Sequence, residues 1–289
     1  MDNKPAFAEH FIRRDEGRVY ARDYKGSGPA FVLMHGFPDN LQIYDDLIPY
    51  LVAAGRRVVA FDFLGFGASD KPSGVIYSFK QQLDDMEAVV SALGLDTIVP
   101  VAHDASGPAA INFTLAHPER VASLCILNSA YDDARPIVWP EMIELFANKK
   151  LEALSGAIAQ SPAQFAWLLI WQQNGFRDAL PASLQPHFNT TTAALIAENF
   201  TKQPSSGPAF VQMVAGFFEE LARNTTRLSK VEALDVPVKV IWGELDPYIT
   251  ADVAKDRVSH FKRGSLQLLA AGHWPQSDLP EQVAKAMLS

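Results

Sequence analysis

The strongest constraint on how this chain folds is the order in which two kinds of hydrophobic pattern follow one another. Short β-branched or apolar runs, "PAFVLMHG" (29–36), "RRVVAFDF" (56–63), "TIVPVAHD" (97–104) and "VASLCILNSA" (121–130), read as strands. Between them lie "YDDLIPYLVAAG", "SFKQQLDDMEAVVSALG" and "GPAAINFTLAHP", whose apolar residues recur at helical spacing. Such alternation builds βαβ units, hence an α/β fold with a mostly parallel sheet flanked by helices. Ligands of open α/β sheets bind at the carboxyl ends of the strands. The polar residues at those ends are His35, Asp62, Asp104 and Asn128.

From about residue 135 to 230 the strand pattern stops. Helix-like pieces broken by proline and glycine take over, among them "WPEMIELFANKKLEALSGAIAQ", "SPAQFAWLLIWQQNGF" and "GPAFVQMVAGFFEELARN". Strands return with "VPVKVIWGELD" and "GSLQLLAAGHW", and the chain closes on the helix-like "LPEQVAKAML". A helical block between two parts of one sheet is read as a cap over the strand ends. The organisation expected is a first core segment (1–134), an inserted helical cap (135–230) and a second core segment (231–289). A separate helical domain is the competing reading, but the flanking "NTTRLSKVEALDV" is too short and structured for a free linker.

Bulk properties narrow the class of partner. Of 289 residues 48% are hydrophobic and 20% charged, enough for a large core in a soluble protein. A net charge of −8 argues against nucleic acid or an anionic membrane as partner. The single cysteine, Cys125, excludes an internal disulfide framework and reads as a small buried hydrophobe. The start, "MDNKPAFAEHF", lacks the basic and apolar segments of a secretory signal, and no apolar run reaches roughly 18 residues. The expectation is a cytoplasmic protein; oligomeric state is left open.

Asp104, in "IVPVAHDASGPAAINF", has two readings. One is an N-cap, its oxygen accepting an orphan backbone N–H at a helix start. The other is a nucleophile on a strand-to-helix turn. Two residues decide between them: Asp246 follows the strand "VKVIWG", and His273 follows "SLQLLAAG", so both arrive at the sheet edge that Asp104 occupies. The chain order nucleophile, acid, histidine, with a nucleophile elbow, resembles the α/β-hydrolase fold family. The resemblance spans nearly the whole chain through "HGFP" (35–38), "DFLGFGASDKP" (62–72), "AHDASG" (102–107), "WGELD" (242–246) and "AGHW" (271–274). Ala102 and Ser106 stand where the family's elbow usually has glycine. Ser106 is a rival nucleophile, but the small residues of the turn place Asp104 at its apex.

The resemblance implies a chemistry. An Asp nucleophile needs no deprotonation at neutral pH, and its attack on a saturated carbon leaves an alkyl-enzyme ester. Water activated by His273, itself oriented by Asp246, then attacks the ester carbonyl. The backbone N–H groups of Phe37 and Ala105 are the expected oxyanion hole. Within the fold an elbow Asp resembles haloalkane dehalogenases, fluoroacetate-type dehalogenases and epoxide hydrolases. The chain departs from each: Ala105 replaces the halide-binding Trp, Phe37 the Asn or Glu after "HG", Ala105 and Pro108 the arginines of the fluoroacetate type, and 135–230 contains no tyrosine for an epoxide oxygen.

The cap and the residues next to it offer other donors. Trp139, Trp167 and Trp171 carry indole N–H groups for a halide, and His187 or Tyr131 could serve an epoxide oxygen; packing within an amphipathic helix is the alternative for the Trp167 and Trp171 pair. Asp132 and Asp133 are backup acids to Asp246, His103 supports the elbow, and Asp62 fixes its loop. No His and acid cluster has metal-ligand spacing, so no metal or cofactor is implied. The reading is an Asp-nucleophile hydrolase acting with water on a hydrophobic small molecule. Hydrolytic dehalogenation leads, epoxide opening is the alternative, and a small-molecule receptor on the same fold is the third.

Overall fold

The computed structural model describes residues 4–134 and 136–289. Residue 135, the expected first residue of the cap, and residues 1–3 of the opening stretch "MDNKPAFAEHF" lie outside the described residues. Among the described residues eight strands form one sheet: β1 (Ala8–Arg13), β2 (Arg18–Tyr24), β3 (Ser27–Met34), β4 (Arg56–Phe61), β5 (Ile98–Asp104), β6 (Leu124–Ser129), β7 (Val238–Gly243) and β8 (Gly264–Leu269). Their order is β1-β2-β4-β3-β5-β6-β7-β8, antiparallel at β1/β2 and β2/β4 and parallel thereafter. The four early strands and two late ones stand where the apolar runs put them. The hairpin of β1 and β2 is added to that picture.

Helices α1 (Ile48–Ala53), α2 (Phe79–Ala92) and α3 (Gly107–Ala116) connect the first parallel strands. Ser78 caps α2 by accepting the Gln81 N–H at 3.2 Å. Pro108 sits in the first turn of α3, where a missing N–H costs nothing. β5, in the middle of the sheet, is buried from Ile98 to His103, and α3 leaves it after a turn of two residues. That turn is where the site forms.

Between β6 and β7 the chain makes no strand among the described residues. It forms α4 (Glu141–Ala147), α5 (Glu152–Ala159), α6 (Pro162–Asp178), α7 (Gln185–Thr190), α8 (Thr192–Thr201), α9 (Gly207–Ala215), α10 (Phe217–Thr225) and α11 (Leu228–Ala233). Asn199 of α8 ties this layer to the loop after β3: its Nδ2 donates to the Pro38 carbonyl at 2.7 Å, and its Oδ1 accepts from Asn40 at 3.0 Å. The expected boundary at 230 falls inside α11, which packs on α3 of the core. Helices α12 (Ala251–Ser259), α13 (Pro275–Asp278) and α14 (Pro280–Leu288) complete the second core segment. Cys125 is wholly buried in β6, where burial pushes its thiol up to about 12. No helix among the described residues is long and apolar enough to cross a membrane.

Candidate active site

Asp104 ends β5 with φ 50°, a left-handed conformation that non-glycine residues rarely adopt. The β5/β6 register shifts between His103 and Asp104, so the ladder is irregular where the chain turns towards α3. Ser106 holds the turn from beneath. Its buried hydroxyl accepts the His103 N–H at 2.8 Å and lies 2.8 Å from the His103 carbonyl and 3.0 Å from that of Met34. A hydroxyl so engaged is a staple of the turn. The turn also demands glycine at a distance: a Cβ on Gly36 would stand 2.6 Å from Asp104 Oδ2.

Two further strand ends converge on Asp104. His273 Nε2 lies 3.6 Å from Asp104 Oδ1, and His273 Nδ1 lies 2.6 Å from Asp246 Oδ2. Asp246 is held by four donors: His273, Asn128 Nδ2 at 3.0 Å, and the backbone N–H groups of Tyr248 and Ile249 at 3.0 and 3.2 Å. Asn128, at φ 30°, also exchanges hydrogen bonds with the Gly243 backbone, fixing β6 to the loop that carries the acid. His103 Nε2 donates to the His273 carbonyl at 2.9 Å, a supporting contact from the residue before Asp104.

The electrostatics follow from these distances. Burial alone would raise Asp104, but hydrogen bonding to His273, its charge and the Phe37 N–H hold it below the ordinary carboxylate range. Burial likewise disfavours charged His273, yet Asp246 and Asp104 outweigh it and lift the imidazole to about 10. Burial, with the charge of His273 added to it, drops His103 to about 3 despite Asp104 nearby, leaving it neutral. Asp62 accepts the Leu41 and Ala68 N–H groups, both at 2.7 Å, and ties down the loop after β4.

The Phe37 N–H donates to Asp104 Oδ2 at 2.6 Å, leaving Oδ1 toward His273. The Ala105 N–H forms no hydrogen bond with the carboxylate among the described residues, though Ala105 follows Asp104 at the same turn. Asp132, the backup acid, is ion-paired with buried Arg257, and Asp133 is exposed. Ligand atoms of Asp132, Asp256 and His260 lie within 4.8 Å of one another, but this Arg257 contact and a 3.0 Å contact of His260 with Glu232 make the group an ion-pair network.

A cavity opens over Asp104 and His273, with about 740 Å³ of space between its atoms, open solvent at its mouth included. Its walls are mostly apolar, with Phe37, Trp139, Phe176, Phe210 and Phe217 among them. Of the donors expected from the sequence, Trp139 lines it. Trp167 and Trp171 do not: they are 65% and 43% exposed on the outer face of α6. That helix turns Leu169, Gln172, Gln173 and Phe176 inward, so residues at its Trp positions point away. His187 pairs with Asp46 at 3.0 Å outside the cavity walls, and Tyr131 is buried with its hydroxyl donating to Asn112 at 3.0 Å. The walls contain instead three polar residues the sequence reading passed over: Gln172, Gln173 and Tyr248. Tyr248 lies two residues beyond Asp246, outside both 135–230 and the end of β6, where the sequence pattern puts its donors.

Comparison with known proteins places the chain in a family. A family model described as alpha/beta hydrolase fold matches residues 29–280. The chain is 34% identical to bifunctional epoxide hydrolase 2 of Rattus norvegicus over 99% of this chain and 53% of the relative, so it spans about half the length of such relatives. It is 26% identical to haloalkane dehalogenase 2 of Mycobacterium tuberculosis, over 98% of this chain and 94% of the relative. Among solved structures, the epoxide hydrolase CorEH aligns with a TM-score of 0.74 at 21% identity, covering 98% of this chain and 97% of that one. An esterase from Thermogutta terrifontis does so with the same score at 19% identity, covering 98% and 97%. At these identities the two structures share the fold.

Proposed function

The chain belongs to the α/β-hydrolase fold family and is an enzyme of it, and from that premise we propose that it hydrolyses a small hydrophobic epoxide through an ester on Asp104. The observation that carries the reading is the Asp104 carboxylate between the Phe37 N–H and His273 at the floor of an apolar cavity. Asp104 Oδ1 attacks a saturated carbon in line, and the bond from that carbon to its leaving atom breaks on the far side. His273 then removes a proton from water, which attacks the ester carbonyl. The oxyanion that forms takes the place of Oδ2 beside the Phe37 N–H, with the Ala105 N–H as its second donor. Collapse breaks the bond from the Asp104 carbonyl carbon to Oδ1, His273 returns its proton to the departing oxygen, and the diol leaves with the Asp104 carboxylate restored.

An epoxide is placed ahead of an organohalide because two of the three indoles considered for a halide, Trp167 and Trp171, face solvent, while a phenol, Tyr248, lines the cavity. Dehalogenation is the second reading, favoured by the Trp139 indole in the cavity wall and by the full-length match to a haloalkane dehalogenase. The region 135–230 is proposed as the cap that closes this cavity.

The deciding experiment offers the purified enzyme an aryl epoxide and an alkyl bromide of matched skeleton, with Asp104→Asn as the blank. Faster turnover of the epoxide supports the first reading. Bromide release without epoxide opening supports the second and removes the first.

A further inference from the structure

Displacement at a saturated carbon places the leaving atom opposite the attacking one, so an epoxide oxygen departs away from Asp104 and from His273, which sits against Oδ1. It leaves as an alkoxide, a base strong enough to require a proton rather than a hydrogen bond alone. The described cavity walls narrow the sources. Amide and indole N–H groups, those of Gln172, Gln173 and Trp139, hydrogen-bond but do not surrender protons near neutrality. The Trp274 indole is in any case committed to Asp39 at 2.8 Å. Only the Tyr248 phenol remains.

Tyr248 is placed by both halves of the molecule. Its backbone N–H donates to Asp246, so it is fixed to the acid of the site, and its ring packs edge-on against Phe176 with centroids 4.9 Å apart. Its hydroxyl accepts from Gln172 Nε2 at 2.6 Å and donates to Glu141 Oε2 at 2.9 Å. Gln172 is held in turn, its Oε1 accepting the Met142 N–H at 3.0 Å. Gly175 leaves the phenol room: a Cβ there would lie 3.0 Å from the hydroxyl oxygen. Glu141, the first residue of α4, is exposed to solvent.

Resting on the reading of Asp104 as nucleophile, we propose that Tyr248 protonates the leaving oxygen and is recharged from solvent through Glu141. As the bond from Asp104 Oδ1 to carbon forms and the carbon–oxygen bond of the epoxide breaks, the alkoxide takes the phenolic proton. The Gln172 N–H steadies the phenolate, and a proton from water reaches it by way of the Glu141 carboxylate. Burial and the hydrogen bond to Glu141 push the phenol up to about 12, so it holds its proton at neutral pH until a stronger base arrives.

The test measures ester formation on Asp104 in a single turnover, by quenching and intact mass, with the matched epoxide and bromide. Tyr248→Phe keeps the ring against Phe176 and removes the proton. It should slow alkylation by the epoxide at least ~100-fold, in line with the loss of a general acid, and alkylation by the bromide less than ~3-fold, since bromide needs no proton. Wild-type alkylation by the epoxide should show a solvent deuterium isotope effect that the bromide lacks. Glu141→Gln should spare the first turnover and slow the steady state. Equal slowing with both compounds in Tyr248→Phe, or no slowing with the epoxide, would overturn the proposal. Failure of wild-type enzyme to form an ester with either compound would instead remove the Asp104 reading beneath it.

Discussion

Gly36 and Asp104, from loops at the ends of neighbouring strands, pass so close that a Cβ on the glycine would fall 2.6 Å from the carboxylate oxygen Oδ2. The same oxygen receives the Phe37 N–H, so the glycine and the donor after it act as one fitted wall. Gly36→Ala should therefore displace the carboxylate, cost about 1–3 kcal/mol of stability as an overpacking change, and reduce turnover far more than stability. Thermal melts beside single-turnover rates check this; wild-type rates in the variant would contradict it.

Ser106 and Asp104 are separable by mutation. Ser106→Ala leaves the buried His103 N–H without its acceptor and should cost about 1–3 kcal/mol while ester chemistry persists. Asp104→Asn should keep the fold and lose turnover. Denaturant melts and product assays on both variants distinguish a staple from a nucleophile. Abolished ester formation in a folded Ser106→Ala enzyme would reverse the assignment.

The two chemical steps should differ in pH dependence. Asp104 is held below the ordinary carboxylate range, so its alkylation should be flat from neutrality well into acid. His273, lifted to about 10 by two carboxylates, is protonated in the free enzyme at neutral pH. Esterification removes the Asp104 charge, so the imidazole pKa falls in the intermediate, and ester decay should rise with pH and level off below 10. The sign for stability is the opposite: the ion pair contributes fully below the ordinary histidine value of 6.5 and is lost as pH rises through about 10. Rapid-quench decay rates across pH, and melts of wild type against His273→Gln, test both.

The tryptophans should divide by position. Trp167→Gln and Trp171→Gln, on the exposed face of α6, should change stability by less than about 0.5 kcal/mol and leave turnover intact. Trp139, packed against Phe217 at 5.1 Å in the cavity wall, should respond to occupancy. Bromide quenching of fluorescence that vanishes in Trp139→Phe would strengthen the dehalogenase reading; quenching that vanishes only in the α6 variants would contradict this placement.

What the sequence made legible follows the physics of each signal. The buried parallel strands are continuous apolar runs, and β5 with its polar end at Asp104 stands out for that reason. The β1 and β2 hairpin did not, because "AEHFIR" is largely exposed, with Phe11 51% open to solvent, and its charges mask a strand pattern. Asp104, Asp246 and His273 could be named because each follows an apolar run directly. The cavity wall could not be read so simply. α6 is apolar on both faces, and spacing alone does not say that Gln172 and Gln173 face inward while Trp167 and Trp171 face out. Tyr248 was missed because a donor from the core loop reaches the cavity only through the fold of β7 and the helices above it.

The central claim is that Asp104 itself is alkylated and then hydrolysed at its carbonyl carbon. With enzyme in excess over substrate in water enriched in heavy oxygen, the first-turnover product should carry ordinary oxygen, and the Asp104 peptide should gain the heavy isotope. In His273→Gln the intact mass should rise by the substrate fragment and stay there. Product bearing heavy oxygen from the first turnover, with the Asp104 peptide unlabelled, would mean that water attacks the substrate directly and would contradict the account.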